Sequence, residues 1–260
     1  MFWLALATKM AVAAAFVVIA TKTAERAGSL VGAMIATLPI LAAPSYFFLA
    51  LEHDKAFIAD SALASLVVNA VTTIFALTYA ALASRFGFVL SLGAALGCWF
   101  GLAALLRGLP WTTASATALN VGVFAFSLWV AHHLKRVAMP PARPQWYDVP
   151  LRAVMVGLLV AVIVGLSDRL GPTVTGMLAA FPIVLVSLIL ILHPRIGGAA
   201  AASVMADTIF GLISFSLCCL TARLLVPPLG SALGLSLALA MSVGANLVIL
   251  AVRRRASGAR

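Results

Sequence analysis

Asp207 stands in the run ASVMADTIFGLISFSLCC, an otherwise apolar stretch over residues 202–219. Leaving a carboxylate in hydrocarbon costs about 2.5–3.5 kcal/mol on the insertion scale, so it must face protein or water. A carboxylate in such a place can take a proton or a cation from one side and lose it to the other. Ser203, Asp207, Gly211, Ser214 and Cys218 are spaced four, four, three and four apart, which makes one stripe on a helix. Small and polar residues in a stripe suit close helix packing around a polar cavity. The same spacing occurs earlier, in Ser65, Asn69, Thr73, Ala76 and Ala80. An ungapped alignment places Ser65 on Ser203, Asn69 on Asp207 and Arg85 on Arg223, with 5 of 24 positions identical over residues 62–85. Two related sites would then face each other across an axis, and only one of them can ionise. That difference suits the binding and release of one proton or cation per cycle. The plainer alternative is hydrogen-bonding glue between helices.

A second duplication is stronger. Residues 25–40 read ERAGSLVGAMIATLPI and residues 168–183 read DRLGPTVTGMLAAFPI, with 7 of 16 positions identical. Pro39 and Pro182 fall about 11 residues into their spans. A proline there removes a helical hydrogen bond and kinks the chain. Freed carbonyls are tolerated where they line a cavity, and broken helices are where transporters bind ligands. The pairs Glu25–Arg26 and Asp168–Arg169 precede Gly28 and Gly171 at turns. They read as gates, as helix starts that meet an anion, or more plainly as capped tight turns. Lys9 and Arg152 align at the same offset, and snorkelling or anion attraction at the two mouths would each explain them.

The elements that must hold these residues are membrane helices. Hydrophobic residues make up 64% of the 260, charged residues only 9%, and mean hydropathy is +1.16. Nine apolar runs are long enough to cross a bilayer: 2–20, 28–50, 60–83, 87–106, 112–133, 150–167, 172–193, 198–222 and 229–251. Continuous runs of this length exclude a barrel. The expected fold is all-α and polytopic, with a first membrane repeat over 1–107 and a linking helix and cytoplasmic loop over 108–149. A second repeat and basic tail follow over 150–260. Five crossings precede the second copy, so it is inverted, with a pseudo-two-fold axis in the membrane plane. The basic residues of short loops and tail favour one side, which predicts an outside N-terminus and a cytoplasmic C-terminus in a cell inner (plasma) membrane.

The net charge of +10 sits in those loops and the tail, which excludes a nucleic-acid surface. Cys98, Cys218 and Cys219 fall within apolar runs, and the four histidines give no metal spacing, with His53 and His193 read as loop residues. Asn120 and Asn246 read as packing contacts. No cofactor, metal site or catalytic pair is expected. The expected partners are the bilayer and a small-molecule or ion substrate, and a homodimer is left open.

Each half resembles the GlpM-type small bacterial inner-membrane proteins. The resemblance rests on Lys9, on Lys22 and on AGSLVGAMIATLPILAAPSYFF over residues 27–48. The fused plan is similar, in architecture only, to the drug and metabolite exporters. The expected function is secondary transport of a small solute, coupled to an ion or a proton. A lipid or lipid-carrier flippase and a non-transporting subunit or assembly factor are the alternatives.

Overall fold

The computed structural model describes residues 7–16, 18–19, 42–134, 137 and 145–258. Lys22, Glu25, Arg26 and Pro39, with the whole first copy of the 25–40 motif, lie outside the described residues. Helices follow in the order α1 (Ala7–Phe16), α2 (Ala42–Glu52), α3 (Lys55–Leu82), α4 (Phe88–Leu106) and α5 (Thr113–His133). Then come α6 (Asp148–Gly165), α7 (Ser167–Ala179), α8 (Ile183–Ile196), α9 (Gly198–Leu229) and α10 (Ser231–Gly258). No strand occurs among the described residues. Six helices there, α3, α4, α5, α6, α9 and α10, are long and apolar enough to cross a membrane. The α7–α8 pair, bent by 41°, is together long and apolar enough to count as a seventh, either as a broken span or as a re-entrant segment. The runs expected at 2–20 and 28–50 are described only in part, as α1 and α2.

Local sequence sets the helix ends. Asp54 caps α3 by accepting from the Phe57 amide at 2.8 Å. Thr112 and Ser115 form a capping box at α5. Gly171 has φ +68°, a left-handed conformation that glycine adopts without steric cost. Its helix therefore restarts at Pro172, a residue suited to a first helical turn. Pro182 cannot continue α7, and the chain leaves the helix at Ala180 before α8 begins at Ile183.

The central helix is α3, with 83% of its apolar window buried, against 17% for α10. A polytopic protein needs that contrast, because the outer helices must show apolar faces to lipid. Val89, Leu105, Trp129 and Val248 are all exposed accordingly. Along its length α3 meets α9. Asp60 contacts Arg223, Asn69 contacts Leu212 and Ser216, and Ala83 contacts Gly198. One set of numbers rises as the other falls, so the two helices run antiparallel. The largest core cluster fills the later half of this crossing, with Phe75, Tyr79, Trp99, Met205 and Ile209. A second cluster joins Leu49 and Ile58 to Val156, Val160 and Ile163.

Candidate functional site

Five buried polar residues of α3, Ser61, Ser65, Asn69, Thr72 and Thr73, fall at helical spacing, and the helix turns them toward the break in α7–α8 and toward α9. Against the break, Tyr46 donates to Ser65 Oγ at 2.8 Å, and Ser65 donates to the Gly176 carbonyl at 2.6 Å. Close approach makes this contact: a Cβ added at Gly176 would lie 2.0 Å from the Ser61 carbonyl oxygen. Two turns further along, Trp99 Nε1 donates to Thr72 Oγ1 at 3.0 Å, and Thr72 donates to the Ala180 carbonyl at 3.0 Å. Phe181, at the break itself, packs edge-on against Trp99 at 4.9 Å. Pro182 is buried beside them. The carbonyls of the interrupted helix are thus met by hydroxyls of α3, which is what an irregular backbone inside a membrane protein requires.

Toward α9, Asn69 Nδ2 donates to the Leu212 carbonyl at 2.8 Å and to Ser216 Oγ at 2.7 Å. Ser216 passes its proton to Asn120 Oδ1 at 2.8 Å, and Asn120 Nδ2 donates back to the Leu66 carbonyl at 2.8 Å. Three spans, α3, α9 and α5, share this relay. Asn69, Ser65 and Thr73 are fully buried, and Thr72 and Asn120 nearly so. Three buried polar atoms of this belt have no hydrogen-bond partner: Asn69 Oδ1, Ser61 Oγ and Thr175 Oγ1. Every side chain of the belt is uncharged.

The stripe containing Asp207 turns elsewhere. Asp207 Oδ1 accepts from Arg253 at 2.7 Å, Ser214 donates to Asn246 Oδ1 at 2.8 Å, and both partners belong to α10. The Arg253 guanidinium also lies 4.4 Å from the Phe210 ring centre. Ser216 is nine residues from Asp207, which at 100° per residue places it on the opposite side of α9. Asn69 and Asp207, aligned in sequence, therefore do not face each other: Asn69 meets Ser216 instead. Asp207 is about 14 Å along α9 from Gly198 and about 33 Å from Leu229. It is half-exposed and lies between the Gly198 end of the helix and its middle. Ser203 donates to the Ala199 carbonyl and accepts from the Val137 amide at 3.0 Å, away from the belt.

Charged groups collect at the two ends of α3. At the end marked by His53, Lys9 pairs with Glu52, and Asp60 pairs with Arg223 at 2.5 Å. Asp168 is exposed there, 3.8 Å from His53 Nδ1, and Arg169 is exposed beside it. At the end marked by His193, Asp148 takes Arg195 bidentately at 2.5 and 2.7 Å. Arg152, one turn after Asp148 on α6, adds its charge to the field at that carboxylate. Lys9 and Arg152 thus join charge clusters at opposite ends.

Three residues carry contacts that sequence reasoning missed. Asn120 closes the buried relay, although a lone asparagine in an apolar run gives no spacing to read. His53 Nε2 lies 2.7 Å from Ser167 Oγ, and His193 Nδ1 lies 2.6 Å from the Tyr79 hydroxyl. His193 belongs to α8 rather than to a loop. Among the described residues no group of His, Cys, Asp and Glu could hold a metal, and all three cysteines are free.

A cavity of about 610 Å³ opens between α1, α2, α9 and α10, walled by Phe16, Phe47, Phe215 and Leu239. It is almost wholly apolar, and Asp207 does not line it. Among the described residues, then, the molecule has a buried polar belt at its centre, charge at both ends and an apolar groove at one flank. Comparison with family models, with curated proteins and with solved structures gives no match, so the helices alone assign the class: a polytopic helical membrane protein.

Proposed function

We propose that the chain is a secondary transporter of a small polar solute, coupled to an ion or a proton and built from two inverted repeats joined through α5. The observation that carries this reading is the antiparallel crossing of α3 with α9 around a buried polar belt. Sequence alignment makes these two helices equivalent. Equivalent helices that meet antiparallel support a two-fold axis in the membrane plane. Thr73 aligns with Gly211, and the contacts on either side of this pair are balanced about it. The other first-helix pair, α1 and α6, also meets, where Gly157 lies against Met10 and Ala14. In addition α4 packs on α8 while α10 packs on α2, an exchange that the same axis requires.

The axis passes through the belt, beside the broken helix. That is the position at which transporters of inverted-repeat design hold their ligands. Asn69 Oδ1, Ser61 Oγ and Thr175 Oγ1 offer unused hydrogen-bonding capacity there. An uncharged belt with free acceptors and hydroxyls suits a small neutral or zwitterionic solute. Coupling falls to Asp207, the described acidic residue set farthest from the ends of its helix. Its ion pair with Arg253 must loosen for the carboxylate to change its charge state. In the sequence, the basic residues of the short loops and the tail, with Arg253, Arg254 and Arg255 among them, favour the side of the C-terminus, which supports a cytoplasmic location for it.

The purified chain in proteoliposomes should exchange at least one solute above empty vesicles, in a counterflow panel of radiolabelled amino acids, polyols and monosaccharides. The apolar groove favours one second reading, a lipid flippase with acyl chains in the groove. Scrambling of fluorescent phospholipid without any solute exchange would replace the first reading with the second. Neither activity would leave a non-transporting subunit.

A further inference from the structure

We infer that His53 and His193 are the two latches of this transporter, one closing each mouth by bonding one repeat to the other. The inference rests on the inverted-repeat reading above. His53 follows α2 in the first repeat and reaches Ser167 in the second. His193 lies on α8 in the second repeat and reaches Tyr79 in the first. The two contacts are therefore reciprocal. His53 directly follows α2 and His193 lies in the last turn of α8, and the two positions differ by three residues, less than a helical turn, in the aligned copies.

They stand at opposite ends of α3. From Lys55, beside His53, to Tyr79 is about 36 Å of helix, close to the thickness of a bilayer. Asn69 lies between them, about 21 Å from one and about 15 Å from the other. A solute in the belt is thus enclosed by a histidine contact on each side. The histidine contacts are built to be broken. Ser167 donates its own proton to the Val164 carbonyl at 2.8 Å, so His53 Nε2 is the donor of a single bond between repeats. His53 also stacks on Phe57 at 3.8 Å within its own repeat, and its Nδ1 lies 3.8 Å from the exposed Asp168 of the other repeat, beyond hydrogen-bond reach. Tyr79 and His193 share one hydrogen bond, with Phe88 edge-on to the imidazole at 5.3 Å. One neutral hydrogen bond is a weak tie, because breaking it returns both partners to other hydrogen bonds. The stronger pairs nearby mostly tie a repeat to itself: Lys9 to Glu52, and Asp148 to Arg195. Asp60 with Arg223 is the exception, an exposed ion pair that crosses between repeats at the His53 end.

The test needs no substrate. Ser216→Cys serves as a reporter in the belt, in a background of Cys98→Ala, Cys218→Ala and Cys219→Ala. A membrane-impermeant cationic methanethiosulfonate is applied to right-side-out and to inside-out vesicles. Adding His53→Ala should speed modification roughly tenfold from one face only, and adding Tyr79→Phe should do so from the opposite face only. Ser167→Ala should repeat the His53→Ala result if that variant fails to fold, and His53→Gln, which keeps a donor, should return the rate toward background. Opening from the same face in both variants, or unchanged rates in protein that elutes as folded, would overturn the latches. Sided modification without flux of any solute would overturn the transport reading and leave the latches standing. Flux with unsided modification would do the reverse.

Discussion

The polar stripes of α3 and α9 have the same spacing and align residue for residue, yet they do different work. On α3 the stripe is fully buried and faces helices far along the chain, α7 and α9. Asn69 reaches across to Ser216, and Ser65 reaches the Gly176 carbonyl. On α9 the equivalent stripe faces its own neighbour in sequence, α10, through Asp207 to Arg253 and Ser214 to Asn246. A shared spacing gives two helices a like face but not a like partner. The partner depends on where the helix stands in the bundle, and α3 is enclosed while α9 has a lipid side. One stripe forms a buried belt against distant helices, and the other holds a charge against the next helix in sequence.

The sharpest way to break this contrast is Gly176→Ala. The new Cβ would sit 2.0 Å from the Ser61 carbonyl oxygen, a backbone atom that cannot rotate away. Separating α3 from the broken helix should cost about 3 kcal/mol or more, seen as a large fall in apparent Tm in detergent. A normal Tm would mean that the two helices do not cross so closely.

Next in size is Asn69→Ala, which removes two donated bonds at a fully buried site. Interhelical hydrogen bonds in membranes are weaker than their burial suggests, so the expected loss is about 1–2 kcal/mol. Ser216→Ala and Asn120→Ala should each cost about 0.5–1.5 kcal/mol, and the double variant should cost less than their sum, because the relay is shared. Strict additivity would show that the relay does not form.

The smallest structural effect belongs to Asp207→Asn. A half-exposed ion pair contributes less than about 1 kcal/mol, so apparent Tm should barely move. A loss as large as that of Asn69→Ala would erase the distinction between the stripes.

Much of this was legible from sequence, and the parts that were not share one cause. Long apolar runs gave the helical membrane class, while the first copy of the gapless match of 25–40 with 168–183 lies outside the described residues. Helical spacing grouped Ser65 with Asn69 and Ser203 with Asp207. A period of 3.6 residues says which side chains share a face and nothing about what lies opposite. For that reason the expectation that Asn69 and Asp207 confront each other gave way to Asn69 with Ser216. Asn120, His53 and His193 were passed over as isolated residues, since their roles come only from neighbours more than 50 positions away along the chain. The Pro182 break was readable, because proline acts through its own missing amide. What the break opposes, the hydroxyl of Thr72, was not.

Counterflow and gradient-driven uptake, measured side by side in proteoliposomes of the wild type, Asn69→Ala and Asp207→Asn, divide the two stripes directly. A belt that carries the solute and a separate carboxylate that couples it predict that Asn69→Ala loses at least about tenfold in both assays. Asp207→Asn should keep counterflow and lose only accumulation against a gradient. If Asn69→Ala folds and retains both activities, or if Asp207→Asn still drives full accumulation, the division between belt and coupling residue is contradicted.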